Sequence, residues 1–179
     1  RMAVAGSLAL GRGLSGGITP ARELITTALN SGAGGVTGNK ALLAPQGGQL
    51  LELAQAKGVD LLFEAAVAGA IPVVRTVKEG LAGDKIIAIS GILNGTTNYI
   101  LDEMTTKGLD YDTALAAAQQ LGYAEADPTA DVEGLDAAAK AAILATLAFG
   151  QEVTLAEVSV TGISKITKAD IDQAGARGG

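Results

Sequence analysis

The stretch Thr19-Pro20-Ala21-Arg22-Glu23-Leu24-Ile25-Thr26-Thr27-Ala28-Leu29-Asn30-Ser31-Gly32 reads as one helix and runs into a short strand around Gly35-Val36-Thr37. Thr19 suits the capping position and Pro20 the first helical position. Leu24, Ile25, Ala28 and Leu29 form a one-sided apolar stripe, and Gly32 ends it. The alternation continues downstream. Leu50, Leu51, Leu53 and Ala54 mark a second helix closed by Gly58, and Val59–Phe63 is an apolar run of strand length. Helix and strand taking turns in this way is the pattern of an α/β layer.

Outward from that stretch the pattern changes. Pro72–Gly80 reads as a short helix, Lys85–Ile92 as an Ile-rich strand, and Thr96–Lys107 as a helix stopped at Gly108. Asp110 caps a further helix that ends at Gly122. Tyr123–Asp131 is acidic and interrupted by Pro128, which predicts a loop. Leu135–Phe149 is apolar on most faces and is expected to be a buried helix. Glu157–Val160 is a strand candidate, and Thr167 with Asp170 three residues on spells a capping box. The boundary between a first and a second unit is expected near Glu64–Pro72, and residues 1–17 are apolar and Gly-rich with no clear period.

Of the 179 residues, 48% are hydrophobic and 18% charged, so the chain can bury a core. A net charge of −6 offers no general attraction to phosphate backbones and argues against a nucleic-acid partner. There is no Cys and no His, which removes disulfides, thiol nucleophiles, zinc sites and His-based triads together. Acid–base work then falls to Lys, Asp, Glu or Tyr. The lack of Cys fits a cytoplasmic location and is compatible with secretion. The longest apolar runs, Ala65–Val74 and Ala141–Gly150, are far shorter than the roughly 20 residues that cross a bilayer. Met2–Leu10 after Arg1 has an outline of a signal peptide, but it is rich in small residues and leads into a Gly-rich stretch. A chain that starts with Arg1 is expected to be a fragment or a processed form.

Four constellations carry possible chemistry. Gly11-x-Gly13-x-x-Gly16 has the spacing of a dinucleotide fingerprint. That motif needs a strand before it and a carboxylate about 20 positions later, where Val36-Thr37-Gly38-Asn39 stands instead. Glu125, Asp127, Asp131, Glu133 and Asp136 crowd carboxylates into one segment, which repel unless a cation or polar ligand sits among them. The bland alternative is a solvated loop, with Asp136 and Lys140 four apart as a surface pair. Because the surrounding helix is apolar, Lys140 is also a candidate buried proton carrier. An EF-hand fails on Pro128 and on the missing terminal Glu. Lys40 follows a strand end, the place where α/β sheets take ligands, or is an ordinary surface Lys. Glu64 precedes a long apolar stretch and must be paired if buried. With backbone carbonyls of the next turn it suits a monovalent cation, or else it caps a helix or reaches solvent.

Gly91-Ile92-Leu93-Asn94-Gly95-Thr96-Thr97-Asn98-Tyr99-Ile100-Leu101, Gly122-Tyr123-Ala124-Glu125-Ala126-Asp127-Pro128, and Asp131 through Lys140 together resemble homoserine dehydrogenase. Asn39–Ala44 and Phe63–Pro72 match too, in order and with suitable separations. The similarity runs from about Gly16 to the last residues. It implies NAD- or NADP-dependent interconversion of L-homoserine and L-aspartate 4-semialdehyde, in the biosynthesis of threonine, methionine and isoleucine. It also implies that residues 1–64 are the end of a Rossmann-like nucleotide-binding domain. Residues 65–179 would be an α+β substrate domain, its sheet covered by helices and its C-terminus truncated.

By the same resemblance Lys140 transfers the proton, and Glu125 and Asp136, with Asp131 close by, bind the substrate's polar groups. Lys40 and Gly122 match cofactor-contacting positions. Glu64, Val67, Gly69 and Ile71 match a sodium site, the last three through backbone carbonyls. The partners implied are the small-molecule substrate and a second copy in a homodimer. The family's glycine fingerprint would precede residue 1, and Gly38 stands where the family usually has Ala or Pro. Two alternatives stay open: a non-catalytic fragment of such an enzyme, and a related two-domain dehydrogenase acting on another aldehyde.

Overall fold

The computed structural model describes residues 18–177; the Gly11–Gly16 spacing and the apolar start lie outside them. The chain forms two compact units. One comprises the residues up to Ile89 together with Ala139–Val158, the other Ser90–Ala138 together with the residues from Ser159 onward. The described part is mostly helical, with one small parallel sheet.

In the first unit, α1 (Ile18–Asn30) leads to β1 (Gly35–Val36), and α2 (Lys40–Lys57) leads to β2 (Leu61–Leu62). Thr19 and Pro20, expected as cap and first helical residue, lie inside the first turn of α1, which begins at Ile18, two residues before the expected first helical position. The buried stripe of α1 is Ala21, Ile25, Ala28 and Leu29, so Leu24 faces outward while the other three predicted positions are in the core. The strands pair in parallel with Gly35 opposite Leu61 and Val36 opposite Leu62. The Gly35 N–H donates to the Asp60 carbonyl at 2.8 Å and the Thr37 N–H to the Leu62 carbonyl at 2.9 Å.

Helix α2 is longer than its apolar run suggests. It begins at Lys40 because the Asn39 side chain accepts the Leu42 N–H at 3.1 Å, and it carries Pro45 within it. At its end Gly58 takes a left-handed backbone (φ 64°), a conformation that favours Gly. After β2, a 3₁₀ turn (Glu64–Ala66) and α3 (Val73–Arg75) follow, the latter widening into a π turn over Thr76–Gly80.

The second unit begins with Lys85–Ile92's last residues and continues into α4 (Gly95–Lys107), α5 (Tyr111–Gln120) and α6 (Thr129–Val132). Helix α7 (Leu135–Phe149) runs through the unit boundary, and α8 (Lys168–Ala176) returns to the second unit. Its core is Ile100 and Met104 of α4, Ala114 and Ala118 of α5, Ala124 and Val132, with Ile163, Ile166 and Ile171 packed against them. The caps predicted at Asp110 and Thr167 are present. Asp110 accepts the Thr113 N–H at 2.8 Å, and Thr167 and Asp170 exchange both bonds of a capping box.

Two strand expectations are corrected. Lys85–Ile92 forms no sheet pairing among the described residues, and Ile87 and Ile92 are 85% and 76% exposed. A strand needs a neighbour to take its N–H and C=O groups, and no described segment does so. Glu157–Val160 is not a strand either. The Glu157 carboxylate accepts the Thr154 N–H at 2.8 Å, and this local cap curls Leu155–Glu157 into a 3₁₀ turn. The expected loop Tyr123–Asp131 holds the first residues of α6 at its end.

Candidate active site

The end of β1 builds the first cluster. The Asn39 N–H donates to the Thr37 hydroxyl at 3.1 Å, and Asn39 in turn caps α2. This turn delivers Lys40 to the first helical position, at the carboxyl end of the strand pair. Facing it, after β2, are Ala65, Ala66, Ala68 and Gly69, and α7 contributes Lys140. Together they line an open cleft of about 390 Å³. Lys140 is half-buried and Lys40 exposed. Two lysines in one crevice at a strand–helix turn suit a polar ligand, to which the helix N-terminus adds its own positive end.

The segment after β2 is strained. Ala68 and Ala70 both take positive φ, 50° and 67°, on either side of Gly69. Such a conformation costs a non-Gly residue about 1–3 kcal/mol and persists only where the surroundings impose it. Val67 is fully buried, Gly69 and Ile71 are exposed, and the Ile71 carbonyl accepts the Val73 N–H at 2.8 Å. Glu64 does what the simpler reading of the sequence foresaw: its two carboxylate oxygens accept the Val74 and Arg75 N–H groups, both at 3.0 Å, and cap α3. Glu64→Ala should therefore lower stability by about 1 kcal/mol, read as a lower denaturant midpoint; an unchanged midpoint would show that the cap contributes nothing.

The acidic segment is built separately, within the second unit. Gly122 follows α5 with φ 76°, and the Tyr99 and Tyr123 rings pack at a tilt of 55° with centroids 5.0 Å apart. The Thr96 hydroxyl donates to the Tyr123 carbonyl at 2.7 Å. Glu125 is exposed and meets Gln119 only through its backbone carbonyl, which accepts at 3.1 Å. The Thr129 hydroxyl and N–H both donate to Asp127, holding its carboxyl below the usual carboxylate range. Asp127 thus serves the turn.

Asp131 and Asp136 are brought together by a residue whose role the sequence alone did not reveal. The buried Asn94 donates from Nδ2 to Asp131 Oδ1 at 2.6 Å and to Asp136 Oδ2 at 3.0 Å. The available signal was its position: Asn is a preferred capping residue and stands just before the predicted helix. It is the true cap of α4, accepting the Thr97 N–H at 2.9 Å. Of the predicted positions, then, Lys40, Lys140 and Gly69 share the cleft of the first unit, with Glu64 and Val67 in the adjoining turn. Asp131 and Asp136 share a clamp in the second, and Glu125 and Gly122 lie on the exposed turn after α5.

A lysine-lined crevice at the carboxyl end of parallel strands is a site of the α/β ligand-binding class. The comparisons narrow it. The homoserine dehydrogenase family model matches residues 72–179. The homoserine dehydrogenase of Mycobacterium leprae is 58% identical over 163 residues, covering 91% of this chain and 37% of that protein. The crystal structure of a homoserine dehydrogenase from Thiobacillus denitrificans superposes with a TM-score of 0.85 at 48% identity, over 90% of this chain and 38% of that one. A hyperthermophilic archaeal homoserine dehydrogenase in complex with NADPH superposes with a TM-score of 0.74 at 31% identity, over 82% of this chain and 45% of that one. This chain belongs to the homoserine dehydrogenase family, a family of oxidoreductases. It spans a little over a third of the length of the curated relative.

Proposed function

We propose that this chain supplies the proton-transferring and substrate-holding part of a homoserine dehydrogenase, which interconverts L-homoserine and L-aspartate 4-semialdehyde. The observation that carries the reading is the cleft that Lys140 and Lys40 both line, in a chain of this family. Residues 1–64 would close a Rossmann-like nucleotide-binding domain, and 65–179 would belong to an α+β substrate domain.

NADP or NAD, when bound, takes the hydride from the alcohol carbon. The rest falls to side chains. Lys140 Nζ, as the neutral amine, takes the hydroxyl proton as the alcohol is oxidised, and as the resulting ammonium returns it to the alkoxide in the reverse direction. Asp131, Asp136 and Glu125 receive the substrate's ammonium, a charge that wants carboxylates at close range. Lys40 and Gly122 contact the nucleotide; an NADPH complex in a relative supports this choice of cofactor. Glu64 with the carbonyls of Val67, Gly69 and Ile71 suits sodium: one formal charge and neutral oxygens on a strained turn match a hard monovalent ion.

No helix among the described residues is long and apolar enough to cross a membrane, in keeping with a cytoplasmic enzyme. The exposed apolar segment Lys85–Ile92 favours a homodimer, since an unpaired strand candidate seeks a partner. The test is L-homoserine-dependent reduction of NADP and of NAD by the full-length protein in sodium and in potassium salts. Turnover specific to homoserine is expected. No turnover with either nucleotide, or equal turnover with other hydroxy amino acids, would overturn the reading.

A further inference from the structure

We propose that Asn94 is the positioning residue that sets the substrate-binding carboxylates Asp131 and Asp136 relative to one another. This rests on the proposed role of those two carboxylates. The orientation of the amide is settled by its surroundings. Its Oδ1 accepts the Thr97 N–H at 2.9 Å and the Thr97 hydroxyl at 3.1 Å, so Nδ2 must face the acids. An amide nitrogen has two hydrogens, and here one goes to each carboxylate, at 2.6 and 3.0 Å.

The arrangement addresses a physical problem. Asp131 precedes and Asp136 follows the tight α6–α7 turn, and two like charges at short range repel. Asp136 is only 7% exposed, so water screens it little. A neutral donor between the two offsets the repulsion without adding a charge of its own, and holds the two carboxylates at a set spacing. Because Asn94 also caps α4, the register of that helix is transmitted to the spacing of the acids. A Lys in this place would compete with the ammonium, and an apolar residue would let the carboxylates splay.

Capping and clamping use different atoms, so they separate experimentally. Asn94→Ser and Asn94→Asp both keep an oxygen to cap α4, and both lose Nδ2. In the full-length protein, both should raise KM for L-homoserine about tenfold or more, with a smaller change in kcat and none in KM for the nucleotide. A lowered melting temperature with unchanged homoserine KM would reduce Asn94 to a cap and overturn the proposal. Should the added charge of Asn94→Asp prevent folding, the neutral Asn94→Ser decides.

A second measurement is independent of activity. In a thermal-melting cycle, the shift caused by Asn94→Ser should shrink by at least half when Asp136→Ala is already present. Fully additive shifts would show that the two residues are uncoupled and would overturn the clamp. If the unsubstituted protein fails to oxidise homoserine while the cycle still shows coupling, the enzymatic reading falls and the clamp stands.

Discussion

Replacing Lys140 with Ala in the full-length protein lowers the rate of homoserine oxidation by about 10²- to 10⁴-fold, the range that a positioned acid–base group contributes, and leaves homoserine binding measurable. Lys140 sits half-buried on α7, a helix that also buries Ala139, Ala142, Ile143 and Leu144, and it lines the cleft that Lys40 also lines. Hydride transfer from an alcohol needs a second group to take the hydroxyl proton, and in a chain without His or Cys an amine is well suited to do so. The substrate's ammonium is assigned to other residues, so the loss should fall on kcat. Lys140→Met is the companion variant, since it keeps a long unbranched stem and removes only the amine. Steady-state rates, with homoserine affinity measured by calorimetry, check the claim. Rates like those of the unsubstituted protein in either variant would remove Lys140 from the chemistry.

Gly162→Ala is the structural counterpart. An added Cβ there would lie 2.6 Å from Glu133 Oε2, 2.8 Å from the Val132 carbonyl oxygen and 2.9 Å from Glu133 Cα. The first contact is the tip of a flexible side chain and can swing away. The other two are backbone, and the same backbone is pinned by the Ile163 N–H, which donates to the Val132 carbonyl at 2.7 Å. Relief requires the 159–163 segment to lift or the turn between Asp131 and Asp136 to move. We expect a loss of about 2–3 kcal/mol of stability and a several-fold rise in KM for homoserine. Gly175→Ala is the control: nothing lies within 4 Å of its added Cβ, and Ala is the better helix former there. If Gly162→Ala melts like Gly175→Ala, the return segment does not brace the acidic turn.

Local chemistry accounts for what was legible before the fold was known. Helix α7 follows its apolar pattern from Leu135 to Phe149, and the caps at Asp110 and Thr167 appear where those residue types stand. Gly58 and Gly108 end their helices in the left-handed conformation that their lack of a Cβ favours. The α/β alternation also appears, though each strand shrinks to two paired residues. These features depend on neighbours within a turn or two, so their signals are written contiguously.

The misses share one cause. An apolar, β-branched run at Lys85–Ile92 has strand propensity, but pairing is a property of two segments and no partner lies among the described residues. At Glu157, a side chain three residues from Thr154 outcompeted the strand. Helix α2 began ten residues before its visible stripe, because one cap at Asn39 was enough to start it through a Gly-rich and Pro-containing stretch.

The sequence by itself determined which groups are available: lysines, carboxylates and an amide, without thiol or imidazole, on helices whose ends are set by local caps. Only the tertiary structure decided which of them meet. Lys40 and Lys140 are far apart in the chain and line one cleft, and Asn94 reaches 37 and 42 residues along the chain to hold two acids. Such contacts arise from packing between elements, where distance in sequence carries no information about distance in space. Hydrogen-bond stoichiometry then assigned Asn94 its place: an amide facing a backbone N–H on one side has two donors left for two carboxylates on the other.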